Sequence, residues 1–257
     1  MAYRLKENAP QHQWNYKICE RVWNFPMIYE HILPATFLER PNRFIAYARC
    51  QDSVVKCHVK NTGRCKELLL PDTRIFLQHH PDAAATGRKT EYSLISVYKE
   101  TAAGRELINL DSQAPNQVAW EWLGKDPANR HIRREVQFHQ SRLDLSFVRD
   151  GQPVLMEVKG VTLEQDGIAR FPDAPTLRGV RHLQELELAL REGCQACVLF
   201  VIAMKGIRRF EPNRATHPEF AQALAHAAAS GVKILAYDCR VTPNSLEMDQ
   251  AIPVKLD

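Results

Sequence analysis

The sequence lacks any apolar run close to the roughly 20 residues that a membrane-spanning helix requires. Residues 1–17 also lack the apolar core of about 7–15 residues that marks a secretory signal. Internal repeats and low-complexity tracts are absent, and 45% hydrophobic with 25% charged residues is typical of a globular chain. These absences exclude a disordered, fibrous or membrane-spanning protein. We therefore expect a cytoplasmic protein with no membrane partner.

The cysteines do not suit a disulfide framework or a structural zinc site. The chain has 7 of them, an odd number, and in a reducing cytosol we interpret them as free thiols. Cys194 and Cys197 have metal-compatible spacing, but no second such pair is present to complete four ligands. We predict that both pack in the core at the start of a buried strand.

The net charge of +4 is too small to indicate a nucleic-acid-binding protein by itself. Its distribution is uneven, because residues 1–110 carry 16 basic and 11 acidic side chains whereas residues 111–257 carry 18 and 19. This fits one region that grips an anion and another that carries acidic chemistry, although scatter in surface charge explains it equally well. A helix-turn-helix signature is missing, so no surface for base-specific recognition is predicted.

The first part of the chain is predicted to form a small β-barrel. Residues 1–26 show no clear period and are interpreted as an appendage, with a native start at Met27 as a hypothesis. Residues 27–110 form a first domain, in which five short strands are predicted over 42–50, 54–59, 74–79, 92–98 and 106–110. Five short strands in so few residues favour a closed barrel of the OB type, because closure removes exposed strand edges.

Residues 111–257 are predicted to form an α/β domain with a mixed sheet. Helices are expected over 116–123, from a Thr176 cap to about 192, and over 219–230. Strands are expected over 135–139, 143–148, 154–161, 197–203 and 233–237.

Asp144, Glu157 and Lys159 are the strongest candidates for chemistry. The alternation around Asp144 places it opposite an apolar strand face, and a hairpin through Asp150-Gly151 would bring it beside Glu157 and Lys159. Two carboxylates that face one point suit Mg²⁺, and a neighbouring lysine would orient water and stabilise charge on a phosphate. Spacing alone favours a simpler alternative, an exposed salt-bridge ladder, since this loose pattern arises readily by chance.

Longer strings give a second, independent argument. They run in order from Met27 to the carboxyl terminus, and they resemble the SfsA family (sugar fermentation stimulation protein A), a branch similar to the PD-(D/E)XK nuclease superfamily. The strings are Arg40-Pro41-Asn42-Arg43-Phe44, Asn61-Thr62-Gly63-Arg64, Glu67-Leu68-Leu69, Arg88-Lys89-Thr90, Ala114-Pro115-Asn116, Ile132-Arg133-Arg134-Glu135-Val136, Ser141-Arg142-Leu143-Asp144, Glu157-Val158-Lys159-Gly160-Val161-Thr162-Leu163, Phe171-Pro172-Asp173-Ala174-Pro175-Thr176 and His182-Leu183. Gly160 departs from the family, where serine is more frequent.

The resemblance implies an OB-like barrel followed by a PD-(D/E)XK nuclease-like domain. It implies that Asp144 and Glu157 bind Mg²⁺ or Mn²⁺ and that Lys159 is the catalytic lysine. Glu121 stands where many such nucleases place a further acid, and an exposed helix carboxylate is the alternative. The expected activity is metal-dependent hydrolysis of phosphodiester bonds, with sequence-independent binding of DNA and with RNA as a second candidate. The alternative is a non-catalytic DNA-binding regulator of sugar (maltose) utilisation genes on the same fold.

Basic and polar side chains in both domains are candidates for binding the nucleic-acid backbone. In the barrel they are Arg43, Lys60, Asn61, Arg64, Lys66, Arg88 and Lys89. In the second domain Arg178 and His182 are one helical turn apart and share a face that would meet a phosphate, with a solvated surface as the alternative. Asp173 either approaches the metal or shapes the turn before the helix.

Overall fold

The computed structural model describes residues 27–61, 63–101 and 104–257. The predicted appendage over residues 1–26 lies outside the described residues. Among the helices of the described part, none has the length and apolar character needed to cross a bilayer.

The barrel is built from five strands that follow one another in the chain. They are β2 (Ile32–Asn42), β3 (Ile45–Cys50), β4 (Ser53–Val59), β5 (Arg74–His79) and β6 (Tyr92–Thr101), preceded by β1 (Met27–Ile28) and followed by β7 (Gly104–Asn109). The hydrogen-bonded order β4-β3-β2-β5-β6-β7 closes through an additional parallel pairing of β4 with β6. The barrel is therefore a closed ring of five strands, with β7 attached outside it, and the predicted OB-type domain is confirmed.

The membership of the ring differs from the prediction. The strand missed by the sequence is β2, which is central because it pairs with both β3 and β5. Pro34 and Pro41 lie within it, and proline removes a ladder donor and argues against a central strand. Register shifts between β2 and β3 accommodate the irregularity. The predicted fifth strand corresponds to β7, outside the ring.

The second domain contains a seven-stranded mixed sheet. Its remaining elements are α1 (Ala114–Lys125), β8 (Asn129–Phe138), β9 (Ser141–Arg149), β10 (Gln152–Val161), β11 (Leu163–Gln165), β12 (Ile168–Phe171), α2 (Leu177–Arg191), β13 (Gln195–Ile202), β14 (Arg209–Pro212), α3 (Pro218–Ala229), β15 (Lys233–Thr242) and β16 (Ser245–Ala251). The sheet order is β1-β16-β15-β13-β10-β9-β8, and β10, β13 and β15 run parallel. The predicted mixed sheet is confirmed, and β1 belongs to it rather than to the barrel.

Helices cover both faces of this sheet. Leu186 of α2 and Phe220 of α3 pack in one core with Phe200 of β13, whereas Val118 of α1 packs in a second core with Met156 of β10. The α2 helix begins where predicted, because the Thr176 side chain accepts a hydrogen bond from the Gly179 N–H at 3.0 Å. A small sheet, β11-β12-β14, has no counterpart in the prediction. Its strands have 3 to 4 residues, which is too short for a periodic pattern.

Candidate active site

The candidate site lies where β9 and β10 separate. The two strands pair from Arg149 opposite Gln152 to Leu145 opposite Met156, and the pairing then ends. Beyond that point the Asp144 side chain takes the place of the backbone hydrogen bonds between the strands, because its Oδ2 accepts the Val158 backbone N–H at 2.8 Å. The side chain of Asp144 is thus fixed at the opening between the strands.

Glu157 and Lys159 project from β10, two residues apart. Glu157 is 3% exposed, and its Oε1 accepts a hydrogen bond from Lys159 Nζ at 2.5 Å. The same oxygen also contacts His182 Nδ1. The second oxygen, Oε2, is buried and has no hydrogen-bond partner among the described residues. An unpaired buried carboxylate oxygen is costly in the absence of a cation.

His182 corrects one prediction. The sequence predicts that its side chain meets nucleic-acid phosphate, but it is 4% exposed and lies against Glu157. The predicted proximity to Arg178 is present, because Arg178 Nε donates to His182 Nε2 at 3.2 Å. Since an arginine Nε can only donate, this bond assigns the imidazole proton to Nδ1, which donates to Glu157. Arg178 is exposed, and its two Nη groups donate to no described residue.

The opposite side of the site is formed by the start of α1. Asn116 Nδ2 donates to Asp144 Oδ1 at 2.8 Å. Gly160 allows this helix end to come close to β10, because a Cβ at residue 160 would lie 2.7 Å from Cγ of Pro115. A serine at position 160 would therefore require Pro115, the residue before Asn116, to move.

The two carboxylates have opposite pKa shifts. Burial and the nearby Glu157 charge raise the pKa of Asp144, and the hydrogen bonds from Val158 and Asn116 do not compensate. Burial also acts to raise the pKa of Glu157, but the hydrogen bonds from His182 and Lys159 outweigh it and the net pKa is lowered. Glu157 therefore ionises more readily than an ordinary glutamate, whereas Asp144 ionises less readily than an ordinary aspartate.

These features test whether a divalent cation fits. Mg²⁺ and similar cations prefer one or two carboxylates together with waters and phosphate oxygens. Asp144 and Glu157 supply the carboxylates, and the unpaired Glu157 Oε2 is an available ligand. A cation would also relieve the repulsion that raises the pKa of Asp144. The residues present fit the ion.

Glu121 is not part of this group, which corrects its prediction as a further ligand. Its carboxylate accepts hydrogen bonds from the Met27 backbone N–H at 3.0 Å and from Gln117 Nε2 at 2.6 Å. Within the three described stretches, no three His, Cys, Asp or Glu side chains are arranged to hold a metal ion. The metal prediction therefore rests on the pair Asp144 and Glu157, and Cys194 and Cys197 are not part of such a group either.

The barrel meets the second domain through the segment around Gly63. Asn61 Oδ1 accepts the Gly63 N–H at 2.8 Å, which forms a tight turn. Asp173 Oδ2 accepts the Arg64 N–H at 3.2 Å, and a Cβ at residue 63 would lie 2.1 Å from the same oxygen. Of the two roles considered for Asp173, the structure places it against this turn.

The guanidinium of Arg40 stabilises the turn from the barrel side. It donates to the backbone carbonyls of Arg43, Asn61, Gly63 and Arg64, at 2.7 to 3.0 Å. The sequence patterns do not mark Arg40 as a functional residue, although it stands in the first string that resembles the family.

The predicted backbone-binding residues of the barrel fall into two groups. Five are exposed and available to a ligand: Arg43, Arg64, Lys66, Arg88 and Lys89. Lys60 is different, because its Nζ lies 2.6 Å from Oδ2 of the buried Asp111. Its charge is already neutralised at the junction of the two domains, so the structure does not support Lys60 as an open phosphate contact.

The fold and the site together define a class of protein: an OB barrel followed by an α/β domain whose central strands carry Asp144, Glu157 and Lys159. The family described as "Sugar fermentation stimulation protein RE domain" matches residues 113–245, and the one described as "SfsA N-terminal OB domain" matches residues 38–110. The chain belongs to the sugar fermentation stimulation protein family, as the resemblance predicted.

Individual relatives agree with this assignment. A "Sugar fermentation stimulation protein homolog" of Desulfitobacterium hafniense is 49% identical over 232 residues, covering 90% of this chain and 99% of its own. The homolog of Clostridium beijerinckii is 45% identical over 233 residues, with 90% and 100% covered. A solved structure, "The structure of Pyrococcus Furiosus SfsA in complex with Ca2+", matches with a TM-score of 0.78 at 25% identity, covering 90% of this chain and 99% of that one.

Proposed function

We propose that this protein is a nuclease that hydrolyses phosphodiester bonds of nucleic acid with Mg²⁺ or Mn²⁺. The observation that carries the proposal is the buried Glu157 carboxylate. One of its oxygens is held by Lys159 and His182, and the other is unpaired beside Asp144. A sheet-surface salt-bridge ladder would not bury a carboxylate to 3% exposure and leave one oxygen without a donor. The Pyrococcus furiosus protein is described in complex with Ca²⁺, which supports a site for an oxygen-binding divalent cation in the family.

Each side chain has a definite role in this proposal. Asp144 and Glu157 would hold the cation, which when bound polarises a phosphate and lowers the pKa of water. His182 and Lys159 fix one oxygen of Glu157, so that the other keeps its direction. Lys159 also brings a positive charge to the site, where charge grows on the phosphate during hydrolysis.

The barrel would bind the backbone through its exposed cations. Phosphate contacts fix position without reading bases, so sequence-independent binding of DNA, with RNA as a second candidate, follows from Arg43, Arg64, Lys66, Arg88 and Lys89. Such binding must weaken steeply as salt rises, because each phosphate contact releases counterions. An affinity for nucleic acid that does not change with salt would contradict this mode of binding.

The decisive experiment is a cleavage assay on single- and double-stranded DNA and RNA with Mg²⁺ or Mn²⁺. Wild type is compared with Glu157→Gln and Lys159→Ala, and with Glu187→Gln as a matched control. Glu187 is another buried glutamate on α2 with a histidine partner, His226 Nδ1 at 2.7 Å, but it lies outside the site. We expect metal-dependent cleavage that is lost in the first two variants and retained in the control.

Other outcomes have separate meanings. Binding without cleavage in every metal and substrate, unchanged in the variants, would replace the nuclease by a DNA-binding regulator of sugar utilisation genes on the same fold. The name of the relatives, sugar fermentation stimulation protein homolog, is compatible with that function. Cleavage that survives both Glu157→Gln and Lys159→Ala would show a contaminating enzyme, and the proposed site would be wrong.

A further inference from the structure

The hairpin formed by β8 and β9 is a basic segment of the second domain that contains the candidate active-site residue Asp144. Between residues 129 and 149 it contains five arginines and two histidines but only two acids, Glu135 and Asp144. Asp144 belongs to the candidate active site, so one acid remains to balance the arginines. The rest of the domain has no such excess, since residues 111–257 as a whole carry 18 basic and 19 acidic side chains.

Two of the hairpin arginines form no ion pair with a described residue, and a third forms only an exposed one. Arg130 and Arg134 form no ion pair with any residue between 27 and 257 that the structure describes. Arg134 instead donates to the neutral Gln117 Oε1 at 2.7 Å and lies 5.9 Å from the Trp120 ring. Arg142 lies 3.6 Å from Glu135, and both side chains are more than 60% exposed, so this pair contributes little.

An arginine on the other side of the same sheet provides a comparison. Arg240 on β15 is paired with Asp249 at 3.1 Å and with Glu247 at 3.5 Å. Its side chain is 61% exposed, as is that of Arg142. At equal exposure Arg240 thus has two acidic partners, at 3.1 and 3.5 Å, whereas Arg142 has one, at 3.6 Å, and Arg130 has none among the described residues.

The register of the hairpin relates these arginines to the active site. Arg142 stands two residues before Asp144 on the same strand, so it lies on the same face about 7 Å away along the strand. Arg130 is opposite Val148, which alternation also places on that face. Arg134 is opposite Leu145, so it lies on the other face, where it contacts Gln117 of α1. Arg142 and Arg130 therefore lie on the face of Asp144, on either side of it along the strand, at about 7 and 13 Å.

We propose that the β8–β9 hairpin is a second nucleic-acid-binding surface, on which Arg130 and Arg142 contact backbone phosphates on either side of the one at Asp144 and Glu157. This inference rests on the proposed function and extends it. The substrate strand leaves the barrel, crosses the carboxylates and continues along the hairpin. The ligand class is a phosphodiester backbone, because exposed guanidinium groups that have no carboxylate partner, or only an exposed one, can bind phosphate oxygens without reading bases.

The test measures binding rather than cleavage, so it needs no bound metal. Fluorescence anisotropy with labelled single- and double-stranded DNA is recorded in EDTA, over about 50–200 mM salt. The variants are Arg130→Gln, Arg142→Gln and the double variant, with Arg240→Gln as the control of equal exposure and Lys66→Gln as a barrel variant. On duplex DNA each hairpin substitution is expected to reduce the slope of log affinity against log salt by about 1. Arg240→Gln is expected to leave it unchanged.

Two results would overturn the inference while leaving the proposed function intact. One is an unchanged slope in the double hairpin variant while Lys66→Gln lowers it, which would assign binding to the barrel alone. The other is an equal loss in Arg240→Gln, which would show a general effect of net charge. Absence of any binding by wild type at the lowest salt would instead remove the proposed function together with this surface.

Discussion

The two carboxylates of the candidate site receive different kinds of hydrogen-bond donor on its two sides, which we call the α1 wall (with Asn116) and the α2 wall (with His182). On the α1 wall, Asp144 receives hydrogen bonds from neutral groups, the Asn116 amide and the Val158 N–H, and its pKa is raised. On the α2 wall, Glu157 receives them from Lys159 and His182, and its pKa is lowered. Burial raises both pKa values, and the Glu157 charge adds to this effect at Asp144, whereas the hydrogen bonds from His182 and Lys159 and their charge outweigh burial at Glu157.

This difference indicates the order in which the two carboxylates would become ready to bind a cation. In the proposed function, the lowered pKa of Glu157 favours its charged form before a cation binds, whereas the raised pKa of Asp144 means that a bound cation would promote its ionisation. The α2 wall is thus predicted to control metal affinity more strongly than the α1 wall. Partners of metal ligands commonly contribute about 10–100-fold in affinity or activity, and a single neutral hydrogen bond contributes less.

The largest effect is expected from His182. The variant His182→Gln keeps a polar atom near the Nε2 position but loses the Nδ1 donor to Glu157, whereas His182→Asn keeps a donor near Nδ1. We expect His182→Gln to lower Mn²⁺ affinity and cleavage by about 10–100-fold. His182→Asn should retain most of both. The expected difference between the two variants is checked by measuring cleavage rates and, separately, the rise in melting temperature that Mn²⁺ produces.

An equal loss of metal affinity in both His182 variants would show that the imidazole acts through packing. The Glu157 donor would then have no special role, and the contrast between the walls would disappear.

A smaller effect is expected on the other wall. Asn116→Ala removes a neutral donor from Asp144, and we expect a loss of about 1 kcal/mol, or roughly 5-fold in Mn²⁺ affinity. Gln113→Ala serves as the control, because Gln113 is exposed at the same end of α1. A loss in Asn116→Ala as large as that in His182→Gln would reverse the proposed order of the two walls.

The smallest effect is a difference in the pH dependence of stability without metal. The folded protein holds a proton on Asp144 that the unfolded chain releases, so its contribution to stability falls as pH rises above the ordinary pKa of 3.8. Glu157 behaves in the opposite way, because its lowered pKa adds stability that is present above the ordinary value of 4.5 and lost as pH falls through the lowered one.

Urea unfolding in EDTA between pH 3 and pH 7 measures this difference, with wild type compared against Asp144→Asn and Glu157→Gln. As pH rises, wild type should lose stability relative to Asp144→Asn and gain stability relative to Glu157→Gln. Parallel pH profiles for the two comparisons would contradict the assignment of opposite shifts.

Much of the fold follows from local sequence patterns. Alternation located β5 without error and placed β9 and β10 within two residues of their observed ends, because each buries one or both faces over many residues. The strand β2 was missed because its prolines argue locally against a strand, and only pairing with β3 and β5 makes it one. Such tertiary pairing leaves no local signal.

In the candidate site, too, contacts that depend on tertiary structure were not predicted from the sequence. Spacing and family strings identified Asp144, Glu157 and Lys159, but not which side of α2 faces them. A signal for His182 exists in the helix period, because the buried residues of α2 include Gly179, Leu183 and Leu186, and residue 182 falls on that face. Asn116 carries no comparable signal, since its contact with Asp144 depends on how closely α1 approaches β10.

The close contact between Gly63 and Asp173 limits how the two domains can be exchanged between relatives. A Cβ at residue 63 would lie 2.1 Å from the Asp173 carboxylate, and the Arg64 N–H donates to the same oxygen. A chimaera that combines this barrel with the second domain of a relative is therefore expected to need an acceptor at position 173 for the Arg64 N–H. In the converse chimaera, a side chain at position 63 would displace the Asp173 carboxylate and remove this hydrogen bond between the domains. The two domains are thus expected to be exchanged most readily when residues 63 and 173 are exchanged together.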